Sequence, residues 1–283
     1  MTDVSVVVVT HNALPWLEQS LESVRGREIV VVDNGSSDGT VAFVRERFPE
    51  VGVVEQENRG LAAGWNAGIA RTSGRYALLL NADAWLHAGA LDALVRCGDA
   101  HPDVAVVGPR LCNPDGTLQR SVRGFPTLWR LATEYLFLRK LAPHSRLLNA
   151  FYGAGFAHDE ERDVEVLMGA VWLVRRAAVE LVGPADEEFF LFSEETDWAY
   201  RFRQAGWTSV FCPEGVATHV YAASHKGRMF EEIQRGHLRF LRKHRGEAYG
   251  ERARRLLKLS LRLRGVLFPG ERGRMYRDAA RAL

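Results

Sequence analysis

The sequence predicts an α/β fold with a basic helical C-terminal extension, on three observations. Apolar runs of strand length alternate with helical periodicity through residues 4–80. Polar residues follow the carboxyl end of each run. Charge is also divided along the chain. From residue 225 onward there are 17 Lys and Arg against 6 Asp and Glu, and before it 20 against 29.

The elements follow in order. Val4 to Val9 is a β-branched run, apolar on both faces, as a central parallel strand covered by helices requires, and it ends in Thr10-His11-Asn12. Pro15 opens a helix whose apolar positions Leu14, Leu17, Leu21 and Val24 keep helical spacing. Ile29 to Val32 is a second strand. It leads into the turn-rich Asp33-Asn34-Gly35-Ser36-Ser37-Asp38-Gly39, where Asp38 or Thr40 caps a helix running to Phe48. Val51 to Val54 is a third strand, followed by Asn58-Arg59-Gly60 and a small-residue helix from Leu61 to Arg71. Tyr76 to Leu80 is the fourth, and it runs into Asn81-Ala82-Asp83. This alternation is that of an open parallel sheet, in which ligands sit outside the carboxyl ends of the strands. Thr10 and Asn12, Asp33 and Asn34, Asn58, then Asn81 and Asp83 all fall at those ends.

Further on, His87 to Cys97 reads as a helix, Val104 to Val107 as a strand, and Asn113-Pro114-Asp115-Gly116 as a hairpin turn. Residues 121–163 mix aromatic, basic and glycine residues and fit either a substrate-side loop or an irregular subdomain. Val164 to Val174 reads as a strand with Gly169-Ala170 in its middle, a sign of close approach by a ligand or another backbone. Ser193 is placed to cap a helix whose buried stripe is Trp198, Phe202 and Ala205, and Gly206 ends it. Trp207 to Cys212 is a last strand, leading through Pro213-Glu214-Gly215 to His219.

Composition sets the bounds. The chain has 283 residues, 47% hydrophobic and 25% charged, enough for a sizeable core in an ordinary globular protein. Cys97, Cys112 and Cys212 are widely spaced with no Cys-x-x-Cys, as expected of thiols in a reducing compartment. Met1-Thr2-Asp3 shows no basic leader and no apolar stretch approaches membrane-spanning length, so a cytoplasmic location is expected.

Asn81 and Asp83 lie two apart, so in extended chain both side chains point the same way. Their oxygens suit a hard divalent cation that also takes phosphate oxygens. With Val6 to Asn12, Val31 to Thr40, Asn58-Arg59-Gly60 with Asn66, Leu80 to Asp83, Met168-Gly169-Ala170, Phe189 to Arg203 with Gly206, and His219, the chain resembles the family 2 inverting glycosyltransferases of the bacterial rhamnosyltransferase-like branch. The resemblance covers roughly residues 4–220. It implies a GT-A fold, a Rossmann-like mixed sheet flanked by helices, over residues 1–224. Residues 1–109 would form the nucleotide-sugar-binding half, 110–224 the acceptor-side half, and 225–283 a basic amphipathic tail.

The same resemblance implies roles for individual residues. Thr10, His11, Asn12, Asp33, Asn34, Asn58, Gly60, Asn66, Asn81 and Ala82 would bind the donor, Asp33 by accepting hydrogen bonds from the base. Asp83 would be the direct ligand of Mg²⁺ or Mn²⁺, and His219 would complete the metal or diphosphate site. Glu194, Glu195 and Asp197 match the acidic catalytic motif, with Glu where the family usually has Asp at 195. Glu195 is favoured as base, because Asp197 can pair with Arg201 one turn on. Gly169, Ala170 and Trp198 would lie on the acceptor side.

The implied partners are a nucleotide-diphospho-sugar, dTDP-rhamnose or else a UDP- or GDP-sugar, and a glycan or polyprenyl-diphosphate-linked acceptor. The basic tail fits an anionic membrane surface at the inner face of the plasma membrane, a solvated face, or a homodimer contact. Nucleic acid is not expected, since no nucleic-acid motif accompanies the charge. A nicotinamide-binding Rossmann protein is excluded because no G-x-G-x-x-G follows the first strand. An inactive binding or scaffold subunit would be favoured by loss of Asp83 or of the acidic motif, and both are present.

Overall fold

The computed structural model describes residues 3–145, 147–149, 151–152, 155–220 and 229–283. In chain order the first half comprises β1 (Val4–Thr10), α1 (Leu14–Glu22), β2 (Glu28–Asp33), α2 (Thr40–Arg47), β3 (Gly52–Glu55), α3 (Leu61–Ile69), β4 (Tyr76–Asn81), β5 (Ala84–Leu86), α4 (Ala90–Ala100), β6 (Val104–Cys112), β7 (Leu118–Gln119) and β8 (Val122–Arg123). The second half comprises α5 (Leu128–Tyr135), α6 (Leu138–Leu141), β9 (Arg162–Val164), β10 (Val166–Leu167), β11 (Val171–Arg175), α7 (Arg176–Val182), α8 (Glu194–Gln204), β12 (Thr208–His219), α9 (Met229–Arg245), α10 (Glu247–Leu267) and α11 (Gly270–Ala282).

The main sheet runs β3-β2-β1-β4-β11-β6-β12-β5. Strands β3, β2, β1 and β4 are parallel, as the alternation predicts. Beyond them β11 is antiparallel to both β4 and β6, so the sheet is mixed. Strand β1 is buried along its whole length between two neighbours and two helical layers. Its side chains alternate: Val6 and Val8 join Leu17, Leu21 and Leu94 on one face, while Val7 and Val9 join Trp65, Trp172 and Trp198 on the other.

Several predicted elements differ. Residues 164–174 form three short strands rather than one, because Gly169-Ala170 is a turn: the Asn81 amide donates to the Ala170 carbonyl at 2.9 Å where β11 begins. The stretch read as a helix from His87 starts at Ala90, since residues 84–86 pair with the end of β12 as β5. Ser193 does not cap α8 through its hydroxyl; it sits at φ 77° and supplies its carbonyl to the Asp197 amide. Asp38 caps the start of α2, its Oδ1 accepting from the Thr40 amide at 3.1 Å.

The C-terminal helices are built into the core rather than trailing from it. Leu238, Phe240 and Leu241 of α9 and Leu257 of α10 belong to the same apolar cluster as Trp172 and Phe202. The predicted boundary at 224/225 lies outside the described residues.

Candidate active site

The loops that leave β1, β2 and β3 are stitched to one another by side chains. Asn34 donates from Nδ2 to the Gly60 carbonyl at 3.1 Å and accepts from Gln56, while its carbonyl meets His11 Nδ1 at 2.8 Å. Asn12, at φ 51°, accepts from the Ser37 amide at 2.8 Å, and Asn58 Oδ1 accepts from the Gly60 amide at 3.2 Å. Gly60 is required where it stands. Its φ is +96°, and a Cβ there would lie 2.2 Å from the Phe190 carbonyl oxygen, to which Leu61 donates.

Thr10, His11, Asn34, Asn58, Gly60, Asn81, Ala82, Asp83, Gly169, Ala170, Glu194, Glu195 and His219 line one cleft at the carboxyl edge of the sheet. At its sheet end Asp83 Oδ1 lies 3.5 Å from His219 Nε2, and both residues are buried. The imidazole is held by Gln119. The Gln119 amide nitrogen donates to Asn113 and to the His219 carbonyl, so its oxygen faces His219 Nδ1 at 2.7 Å. Nδ1 is therefore the donor, and Nε2 is the ring nitrogen that faces Asp83, the arrangement in which a second-shell acceptor orients a metal-binding histidine. Bonds of about 2.1 Å to one octahedral cation place neighbouring ligand atoms roughly 3 Å apart, so this pair fits such an ion.

Opposite, residues 190–192 turn sharply into α8. Phe192 and Ser193 both have positive φ, which aims the first turn of α8 into the cleft. Glu194 and Glu195 are buried, and an oxygen of each, Oε2, accepts no hydrogen bond from the described residues. Thr10 Oγ1 and Asp33 Oδ1 share that condition. Burial pushes the Glu194 carboxyl well above the usual range, and the Glu195 charge adds to it. Glu195 is also raised by burial, but the Arg123 guanidinium and the backbone amides at the start of α8 oppose the shift. The two carboxyls titrate as a pair, with the Arg123 guanidinium favouring the charge on Glu195. Gly169 brings the opposing wall close: a Cβ there would sit 3.0 Å from the Trp65 ring and 3.5 Å from Glu195 Cβ.

Other predicted site residues lie elsewhere. Asp197 is fully buried and held by Arg201 at 2.9 Å, Lys243 at 2.8 Å and His244 at 2.7 Å, away from the cleft lining. Trp198 stacks on Trp65 and Phe202 and donates to the Gly183 carbonyl, so it supports the wall from behind. The Asn66 amide clamps Ala185 and Glu187. Asp33 lines a neighbouring recess with Ser36, Thr40 and Gln56. Two residues went unread in the sequence. Arg123 comes from the irregular stretch, and Gln119 acts only through His219, so neither carries a local signal.

A sequence profile described as Glycosyl transferase family 2 matches residues 5–180. An N-acetylglucosaminyl-diphospho-decaprenol L-rhamnosyltransferase of Mycobacterium tuberculosis is 31% identical over a 245-residue alignment that covers 79% of this chain and 78% of the relative. The fold is similar to that of the mannosyltransferase PcManGT from Pyrobaculum calidifontis, solved with GDP-Man and Mn²⁺. Its TM-score is 0.61 at 19% identity, over 99% of this chain and 73% of that one. It is also similar to GalNAc-T7, solved with UDP, GalNAc and Mn²⁺, at TM-score 0.65 and 15% identity, over 99% of this chain and 55% of that one. Both neighbours share the GT-A architecture. By its profile match and its identity with the mycobacterial enzyme, the chain belongs to glycosyl transferase family 2, in its rhamnosyltransferase-like branch, and is a glycosyltransferase.

Proposed function

We propose that the chain transfers L-rhamnose, with inversion, from dTDP-rhamnose to a hydroxyl of a polyprenyl-diphosphate-linked or polysaccharide acceptor. The reading is supported by the name of the mycobacterial relative and by one structural observation. A buried carboxylate, Glu195, one oxygen of which accepts no hydrogen bond from the described residues, shares a cleft with the Asp83–His219 pair.

In this reading the diphosphate lies at the Asp83 end and the acceptor hydroxyl approaches the Glu195 carboxylate. The acceptor oxygen attacks the anomeric carbon from the face opposite the phosphate. Its bond to carbon forms as the carbon–phosphate-oxygen bond breaks, and its proton passes to Glu195. Arg123 favours the charge on Glu195 against burial, and burial disfavours a second charge on Glu194. A Mg²⁺ or Mn²⁺ ion held by Asp83 and His219 would supply Lewis-acid neutralisation of the departing diphosphate. The Asp33 recess would take the base of the nucleotide.

The acceptor also gives a reason for membrane contact. On α10 the side chains of Leu259, Leu263, Val266 and Leu267 are exposed on one face with Arg252, Arg255 and Arg262, a basic and apolar strip suited to an anionic lipid surface.

Calorimetric titration with dTDP, UDP and GDP, each with and without Mn²⁺, tests the donor side. Metal-dependent binding of dTDP, abolished in Asp83→Ala, is expected. Tighter binding of UDP or GDP would change the donor, and no binding of any nucleotide by folded protein would overturn the proposal.

A further inference from the structure

Apart from the cleft, the described residues bring one other set of metal-ligating atoms together. Cys97, His101 and Glu161 each place a candidate ligand atom within 4.8 Å of the other two. Cys97 lies in the last turn of α4, and His101 follows as its C-cap in extended conformation, with its imidazole in reach of the thiol. Glu161 comes from the other side. The β9–β12 register pairs Arg162 with Phe211, which sets Glu161 beside Cys212. The Cys212 thiol packs against the same helix, donating to the Ala93 carbonyl of α4 at 3.9 Å.

We infer that Cys97, His101 and Glu161 form the core of a zinc site, which Cys212 completes by moving in on the ion, so that the metal clips α4 to β12 and to the segment entering β9. The donor set is two sulfurs, an imidazole nitrogen and a carboxylate oxygen, all ligand types that tetrahedral zinc accepts. The two thiols are buried at 6% and 2% exposure, while the His101 and Glu161 side chains, at 39% and 45%, form a mouth open to solvent. An ion therefore has a way in and a closed floor of thiols to rest on. His101 Nε2 and Glu161 Oε1 are 2.6 Å apart. Zinc bonds of about 2.0–2.3 Å set ligand atoms roughly 3.3–3.8 Å apart, so binding asks the pair to part and the sulfurs to draw in. The site is distinct from the cleft. Across β6, Cys212 pairs with Pro109 and Thr218 with Cys112, so Cys212 and His219 stand about four strand residues, roughly 13 Å, apart along the sheet.

The test uses full-length protein kept reduced, stripped with chelator, dialysed and titrated with Zn²⁺ in a competing-chelator buffer, with Asp83→Ala included to silence the cleft. One zinc retained by Asp83→Ala, and bound roughly tenfold or more weaker by His101→Ala and Glu161→Gln, is expected. Both variants change partly exposed side chains, so they should stay folded, whereas Cys97→Ser alters a buried one. Co²⁺ in place of Zn²⁺ should give a thiolate charge-transfer band, reduced in Cys212→Ser. Zinc that disappears with Asp83→Ala, zinc unaffected by His101→Ala, or cobalt without the thiolate band would each overturn the inference.

Discussion

Glu195 and Asp197 stand two residues apart in the first turn of α8, yet the helix points them about 200° apart, one into the cleft and the other into the core. Burial raises the Glu195 carboxyl and Arg123 opposes it, so the ascending limb of kcat/KM against pH should rest on this group. Arg123→Gln is expected to move that limb to higher pH; a limb that does not move would detach Arg123 from the base. Burial also acts against ionised Asp197, but His244, Lys243 and Arg201 outweigh it and hold the carboxyl below the ordinary value of 3.8. A depressed carboxyl contributes stability that is present above about pH 4 and lost as pH falls further. Asp197→Asn should therefore cost about 3 kcal/mol at neutral pH by urea unfolding, with the gap from wild type narrowing in acid. The acidic motif was legible in the sequence, as was the Asp197–Arg201 pair. Lys243 and His244 were not, because they reach Asp197 from a helix more than forty residues away.

At the scale of elements, the long apolar runs β1, β2 and β4 were legible because burial on both faces leaves a continuous signal. Short strands were not. Three residues suffice for β5, whose place is set by pairing with β12 rather than by its own pattern. Helix α10 shows the same limit. Its leucines read alike in sequence, but Leu257 and Leu261 are buried while Leu259 and Leu263 are exposed. Packing against α9 and α11 decides which ones face outward. If that outer face meets membrane, the protein should co-float with vesicles containing anionic lipid and not with purely zwitterionic ones. Leu263→Asp with Val266→Asp should abolish flotation while leaving the unfolding midpoint within experimental error. Flotation unchanged in that variant would refute the contact.

For the whole molecule, α9 joins the catalytic domain to the chain's end. Phe240 packs against Phe125 and Tyr200, and a Cβ at Gly236 would lie 2.6 Å from the Phe192 carbonyl, at the turn that presents Glu194 and Glu195. Protein ending at residue 220 would expose the cluster around Trp172 and Phe202 and leave the buried Asp197 without two of its partners. It should show no cooperative thermal unfolding; a sharp transition in the truncated chain would make the helices a separable appendage.

The sequence by itself determined the alternating half of the sheet, the polar strand ends and the acidic motif, since each is a local pattern of neighbouring residues with a physical period. Only the tertiary structure decided which of those residues meet. It turned β11 against its neighbours, set Gln119 behind His219 and Arg123 beside Glu195, and drew Asp197, Asn66 and Trp198 into the scaffold. Contacts between residues distant along the chain depend on the packing of whole elements, and no local period records them.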